Sequence, residues 1–131
     1  MPGMPGLLDT SVVIAHDAPG ALELPASAAI SVITLGELRA GVLLARGQEQ
    51  ADARQQRLAA VRAAFAPLPV DERVAARYGD VLGVAGAQGR TVKATDLLII
   101  ATAADSGRVL YTRDVAQARL AEAADVAATV I

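Results

Sequence analysis

Four acidic residues in this chain stand where they could do chemistry. Asp9 follows the apolar run Gly6-Leu7-Leu8, and Asp114 follows Val109-Leu110-Tyr111-Thr112. Asp96 opens the apolar stretch from Leu97 to Ala104, and Glu37 lies inside another, from Val32 to Leu44. Glu37 is the least ordinary. At helical spacing its neighbours are Ile33, Ala40, Gly41 and Leu44, all apolar or tiny, whereas a solvated glutamate usually sits on a polar face. A carboxylate near a core needs a compensating charge, and no arginine or lysine is obviously placed to supply one. A divalent cation held by several carboxylates would. Mg²⁺ and Mn²⁺ favour oxygen ligands in octahedral geometry, and such a site can activate water for displacement at phosphorus. Thr10, Ser11 and Thr112 lie close enough in sequence to orient a carboxylate or a water.

Each acid also has a plainer explanation. Asp9 and Asp114 could cap helices, and Asp96 could serve the positive end of a helix dipole. Glu37 could face solvent. His16, the only histidine, reads as structural, and Arg39, Arg46, Arg54, Arg57 and Arg62 read first as solvated helix surface, with phosphate binding as the alternative. Spacing alone leaves the acids undecided.

The elements that must position these residues alternate. Strands are expected at Gly6-Leu7-Leu8, Ala28-Ala29-Ile30-Ser31, Pro67-Leu68-Pro69-Val70 (an edge, given its prolines), 108–112 and 126–130. Helices are expected over 12–16, 32–46, 50–66, 71–89, 95–106 and 115–123, with a loop at Pro19, Gly20 and Pro25. Leu58, Val61 and Phe65 form the inner stripe of one helix, and Val74, Tyr78, Val81 and Leu82 that of the next. The helix from Thr95 is apolar on nearly every side, stops at Gly107 and feeds a short buried strand, the pattern of a parallel sheet covered on both faces. The expectation is one three-layer α/β/α domain over residues 1–131 with a five-stranded, mostly parallel sheet. Ligands of such sheets bind beyond the carboxyl ends of strands, where Asp9 and Asp114 should lie.

Composition bounds the rest. Hydrophobic residues make up 53% and aromatics 2%, so the core must be aliphatic. A net charge of −2 offers no global attraction to nucleic acid, so such a partner would need a local patch. The absence of cysteine excludes disulfide and thiolate chemistry and suits a reducing compartment. The N-terminal Met1-Pro2-Gly3-Met4-Pro5-Gly6 lacks the basic and apolar regions of a signal peptide, and no apolar run reaches the ~18 residues of a membrane span. A soluble, cytoplasmic protein is expected.

Four segments together resemble a PIN domain, and within that family a VapC-type toxin of a bacterial toxin–antitoxin pair. They are Leu7-Leu8-Asp9-Thr10-Ser11, the run from Ile30 to Leu38, the run from Ala94 to Ala103, and Leu110-Tyr111-Thr112-Arg113-Asp114, in the family's order and spacing. The resemblance implies an Mg²⁺- or Mn²⁺-dependent endoribonuclease with Asp9, Glu37, Asp96 and Asp114 as catalytic and metal-binding acids. It also implies an RNA substrate, a homodimer and inhibition by a cognate antitoxin. Arg39, Arg46 and Arg113 are the candidates for holding flanking RNA phosphates. Two departures bear on a second metal: Val115-Ala116-Gln117-Ala118 carries neither the further acid or asparagine nor the aromatic common in relatives, and Asp96 is preceded by Ala94-Thr95.

Three other classes compete. A haloacid-dehalogenase-like phosphatase needs a second acid two residues after the first, where this chain has Ser11. A phosphoacceptor receiver needs adjacent acids after the first strand and a lysine after a late strand, whereas Lys93 precedes a helix. A catalytically weak PIN scaffold that binds protein is the non-enzyme alternative.

Overall fold

The structure, a computed structural model, describes residues 3–16 and 23–131. The expected loop residues Pro19 and Gly20 fall outside them. Five strands, β1 (Gly6–Leu8), β2 (Ala28–Ser31), β3 (Ala66–Leu68), β4 (Val109–Thr112) and β5 (Ala128–Val130), form one sheet in the order β3-β2-β1-β4-β5. Every pairing is parallel. Six helices connect them: α1 (Thr10–Ala15), α2 (Val32–Leu43), α3 (Gln48–Ala64), α4 (Glu72–Ala87), α5 (Ala94–Ser106) and α6 (Val115–Ala123).

The period-two alternation of the strands divides the core. Leu7 sits beside Ala29 and Leu110, and these face α4, α5 and α6 through Val81, Leu97, Ile100 and Leu120. Leu8 and Ile30 face the other way, onto Val12 and Val13 of α1, Leu38 of α2, and Leu58 and Val61 of α3. One set of helices therefore covers each face of the sheet. Because parallel crossovers are right-handed, a chain that lays β1, β2 and β3 in one direction and β4 and β5 in the other must put the two sets on opposite sides. The reversal falls between β1 and β4, and opens a crevice at their carboxyl ends. At the opposite end β1 has no room for a side chain on Gly6. A Cβ there would stand 2.6 Å from Pro25 Cγ and 2.9 Å from Tyr111 Cε1.

α5 is the buried helix that its composition requires. Leu97, Ile99, Ile100, Ala101, Thr102 and Ala103 are all inaccessible, and Gly107 ends it in the left-handed conformation at φ 65°. Several boundaries differ from the expected ones. α2 stops at Leu43 rather than near Arg46, and α3 begins at Gln48, directly after Gly47 at φ 90°. β3 starts at Ala66 and ends at Leu68, so Pro69 and Val70 lie beyond it, although it is the edge strand expected of a proline-bearing segment. β5 begins at Ala128. Leu82 is 46% exposed, and Ala85 takes the inner place on α4 assigned to it. Among the described residues no helix is long and apolar enough to cross a membrane.

The division between core and surface can be measured by urea unfolding. Ile100→Ala should cost about 2–5 kcal/mol through lost burial and a residual cavity. Leu44→Ser, at a side chain 77% exposed, should change stability by less than about 0.5 kcal/mol.

Candidate active site

All four acids reach the carboxyl edge of the sheet, each from a different element. Asp9 and Asp114 follow β1 and β4, flanking the crevice, and both are N-caps: Asp9 accepts from the Ser11 N–H of α1, Asp114 from the Ala116 and Gln117 N–H groups of α6. Asp96 lies in the first turn of α5. Glu37 is half-buried on the second turn of α2, so the site is shared between the two helical layers. For Asp9 and Asp114, capping a helix and standing at this edge are thus compatible. Asp71 caps α4 through the Val74 N–H and belongs to no such group, so capping alone does not gather acids.

Of the three supporting residues, Ser11 and Thr10 bond an acid directly. Ser11 Oγ donates to Asp9 Oδ2 at 2.6 Å, beside the Ser11 backbone N–H at 3.0 Å. Thr10 Oγ1 donates to Glu37 Oε1 at 2.7 Å and lies 2.9 Å from Thr34 Oγ1, a buried pair of hydroxyls that explains how Glu37 is tolerated without a basic partner. Thr112 touches no acidic side chain. Its Oγ1 accepts the Asp114 N–H at 3.0 Å and donates to Gln117 Oε1 at 2.6 Å. Of the arginines, Arg113 is exposed beside Asp114 with its N–H on Ser11 Oγ. Arg39 turns to α3, donating to Gln55, and Arg46 is exposed after α2 with its N–H on Gln50. Of these three, Arg113 alone adjoins the acids.

Three residues at the site were not singled out from sequence. Arg90, Lys93 and Gln117 line a cleft of about 210 Å³ with Asp96 and Asp114. Gln117 carried a signal, lying at i+3 from Asp114 and hence on the same helix face. Lys93 carried another as the chain's single lysine, placed at the start of α5. An apolar pocket of about 240 Å³ between α1 and α3, bordered by His16, contains none of the acids.

Electrostatics ties the four together. Burial pushes the Asp96 carboxyl above its ordinary 3.8, Asp9 pushes the same way, Lys93 opposes, and Glu37 and Asp114 add to the rise. Among the described residues its side chain accepts no hydrogen bond, unlike those of the other three acids. The donor set suits a hard divalent cation, whose charge would relieve this repulsion. It is not a preassembled coordination shell: no group of three or more such side chains among the described residues is arranged to hold a metal. Asp9, Glu37 and Asp114 are each turned to hydrogen-bond donors instead.

The chain matches the PIN domain over residues 6–123. It is 39% identical to Ribonuclease VapC5 of Mycobacterium tuberculosis over 92% of this chain and 91% of that protein. It is 44% identical to Ribonuclease VapC8 of the same species over 75% and 89%. Among solved structures, the VapBC-5 member of the VapBC toxin–antitoxin family from Mycobacterium tuberculosis superposes with a TM-score of 0.85 at 35% identity, covering 98% of this chain and all (100%) of that one. FitAcB from Neisseria gonorrhoeae gives 0.78 at 31% identity, covering 93% and 94%.

The raised Asp96 carboxyl has a sign that can be tested. Ionised at neutral pH, it costs stability that its protonated form does not. Asp96→Asn should therefore raise the melting temperature in chelator at pH 7. The gain should shrink as pH falls through the raised value towards 3.8 and vanish below it. Adding Mn²⁺ should stabilise the unaltered chain, by about 2.7 kcal/mol at a hundredfold excess over its dissociation constant, and the variant much less. Equal metal shifts would remove Asp96 from the site.

Proposed function

This chain belongs to the PIN-domain family, as a ribonuclease toxin of the VapC type, and from that premise we propose that it hydrolyses RNA phosphodiester bonds endonucleolytically with Mg²⁺ or Mn²⁺. The observation that carries the reading is the like-charge field at Asp96, to which Asp9, Glu37 and Asp114 all contribute. Four carboxylates would repel an RNA backbone if left bare, so a cation is required for binding as well as for chemistry.

Asp9, Glu37, Asp96 and Asp114 would hold the ion. When bound, a divalent cation acidifies water and offsets the charge that builds on a scissile phosphate. The remaining work falls to the chain. Ser11 and Thr10 keep Asp9 and Glu37 turned inward, and Thr112 fixes the backbone at Asp114. Arg113, with Lys93 and Arg90 of the adjacent cleft, would hold flanking phosphates. Unstacked, single-stranded or loop RNA is the favoured substrate, because its backbone can bend into an edge crevice and its bases are open to contact. A phosphatase reading is less supported, since Ser11, in place of the second acid, serves Asp9 as a donor.

The antitoxin is assigned to α2 and α3. A groove of about 590 Å³ between them is bordered by Arg39, Gln55, Leu58 and Arg62, and Leu43 and Leu44 stand 68% and 77% exposed near the end of α2. An amphipathic segment laid into an apolar groove is a familiar mode of recognition. A homodimer acting in the cytoplasm completes the proposal, on the strength of family membership.

Labelled RNA incubated with the purified chain should be cut with Mg²⁺ or Mn²⁺ and left intact in excess chelator. Asp9→Ala, Glu37→Ala, Asp96→Ala and Asp114→Ala should each abolish cutting. Full activity in chelator would sink the metal mechanism, and near-normal activity in one variant would remove that residue. Separately, Leu43→Ser and Leu44→Ser should weaken antitoxin binding at least about tenfold, a loss of about 1.4 kcal/mol, with the melting temperature unchanged. Unaltered binding would clear this surface of the role.

A further inference from the structure

Gln117 is an uncharged side chain built into the acidic site, 3% exposed on the inner face of α6. Its amide is held at both ends. Oε1 accepts from Thr112 Oγ1 at 2.6 Å, and Nε2 donates to Asp9 Oδ1 at 3.1 Å, with the Asp96 carbonyl oxygen 3.5 Å from the same nitrogen. The orientation is determined by chemistry. A flipped amide would set its oxygen against a carboxylate and a carbonyl, two acceptors that can give it nothing. Thr112 reinforces the choice, because its oxygen already accepts the Asp114 N–H and its proton is free to go to Gln117. A directed chain therefore runs from the backbone at Asp114 through Thr112 and Gln117 to Asp9, across the crevice between β4 and β1.

Asp9 is thereby gripped on both oxygens, by Ser11 on Oδ2 and by Gln117 on Oδ1. We infer that Gln117 is a positioning residue that orients the Asp9 carboxylate for a divalent cation, an inference that rests on the metal-dependent reading above. An amide suits this task where another acid would not. A glutamate could accept from Thr112 but could donate neither to Asp9 nor to the Asp96 carbonyl, and it would bring a fifth negative charge to the group. A carboxylate's hydrogen-bonding partners typically contribute 10–100-fold to metal affinity, which is the order expected of Gln117.

The test is Mn²⁺ binding to the full chain, followed by calorimetry, with Gln117→Met as the variant that keeps the unbranched length and removes both polar ends. Mn²⁺ affinity should fall about 10–100-fold. Cleavage at limiting Mn²⁺ should fall with it and recover when Mn²⁺ is raised to saturation. The loss should disappear in an Asp9→Asn background, where the carboxylate to be oriented is gone, and persist in a Glu37→Gln background. Should Gln117→Met not fold, Thr112→Val removes the hydroxyl that orients the amide and is judged by the same pattern. Affinity within about twofold of the unaltered chain, or an equal loss in both backgrounds, would overturn the positioning role and leave Gln117 as packing. RNA cleavage by an unaltered chain that binds no Mn²⁺ would overturn the metal reading itself, a different result.

Discussion

Carboxylates gathered at one place repel one another, and this fold tolerates four because each is met by a compensating device from its own or a neighbouring element. Asp9 and Asp114 lie at the starts of helices, where free backbone N–H groups and the positive end of the dipole favour negative charge. Glu37 has a threonine hydroxyl, itself backed by a second one. Asp96 has a helix start and Lys93 nearby, but no hydrogen-bond donor among the described residues, and burial together with the neighbouring acids raises its pKa. The parallel sheet makes the arrangement possible. Each helix that directly follows a strand, as α1, α2, α4 and α6 do, starts at the edge where the strands end, so one edge collects anions and partial positive charges together.

The same geometry explains which parts of the molecule were legible in the sequence. α5, β4, α6 and the turn at Gly107 were legible because apolar composition, β-branched runs and a left-handed glycine are local signals. The four acids were legible as candidates, since each adjoins such an element, but their convergence depends on a strand order that no local pattern encodes. The ends of α2 and α3 were misplaced around Gly47, where alanine-rich sequence continues the helical pattern on both sides of the break. Leu82 was assigned to the core on periodicity, although α4 turns Ala85 inward beside Val81 and leaves Leu82 half in solvent.

Gln117 was hidden for another reason. A glutamine on a helix is ordinarily surface, and its one signal, the i+3 spacing from Asp114, does not announce burial. Its burial follows from α6 packing with its first turn against the crevice, and its meaning follows from Asp9, at the far end of the sequence. Thr112, a candidate to orient a carboxylate or a water, bonds this amide and the Asp114 backbone. Residues that act by holding other residues are the hardest to find from sequence, because their chemistry is generic and only their location is special.

The pairing of β1 with β4 also sets the order in which the acidic edge can assemble. Leu7 takes its place beside Leu110, and Asp9 receives its amide from Gln117 of α6, 108 residues further along the chain. A nascent chain that already carries Asp9, Glu37 and Asp96 has no β4 beside β1, no Asp114 and no Gln117. Contacts so distant in sequence form late, once most of the loop-closure entropy has been met. The acidic edge is therefore completed by long-range closure of the sheet and not by any local segment of the chain.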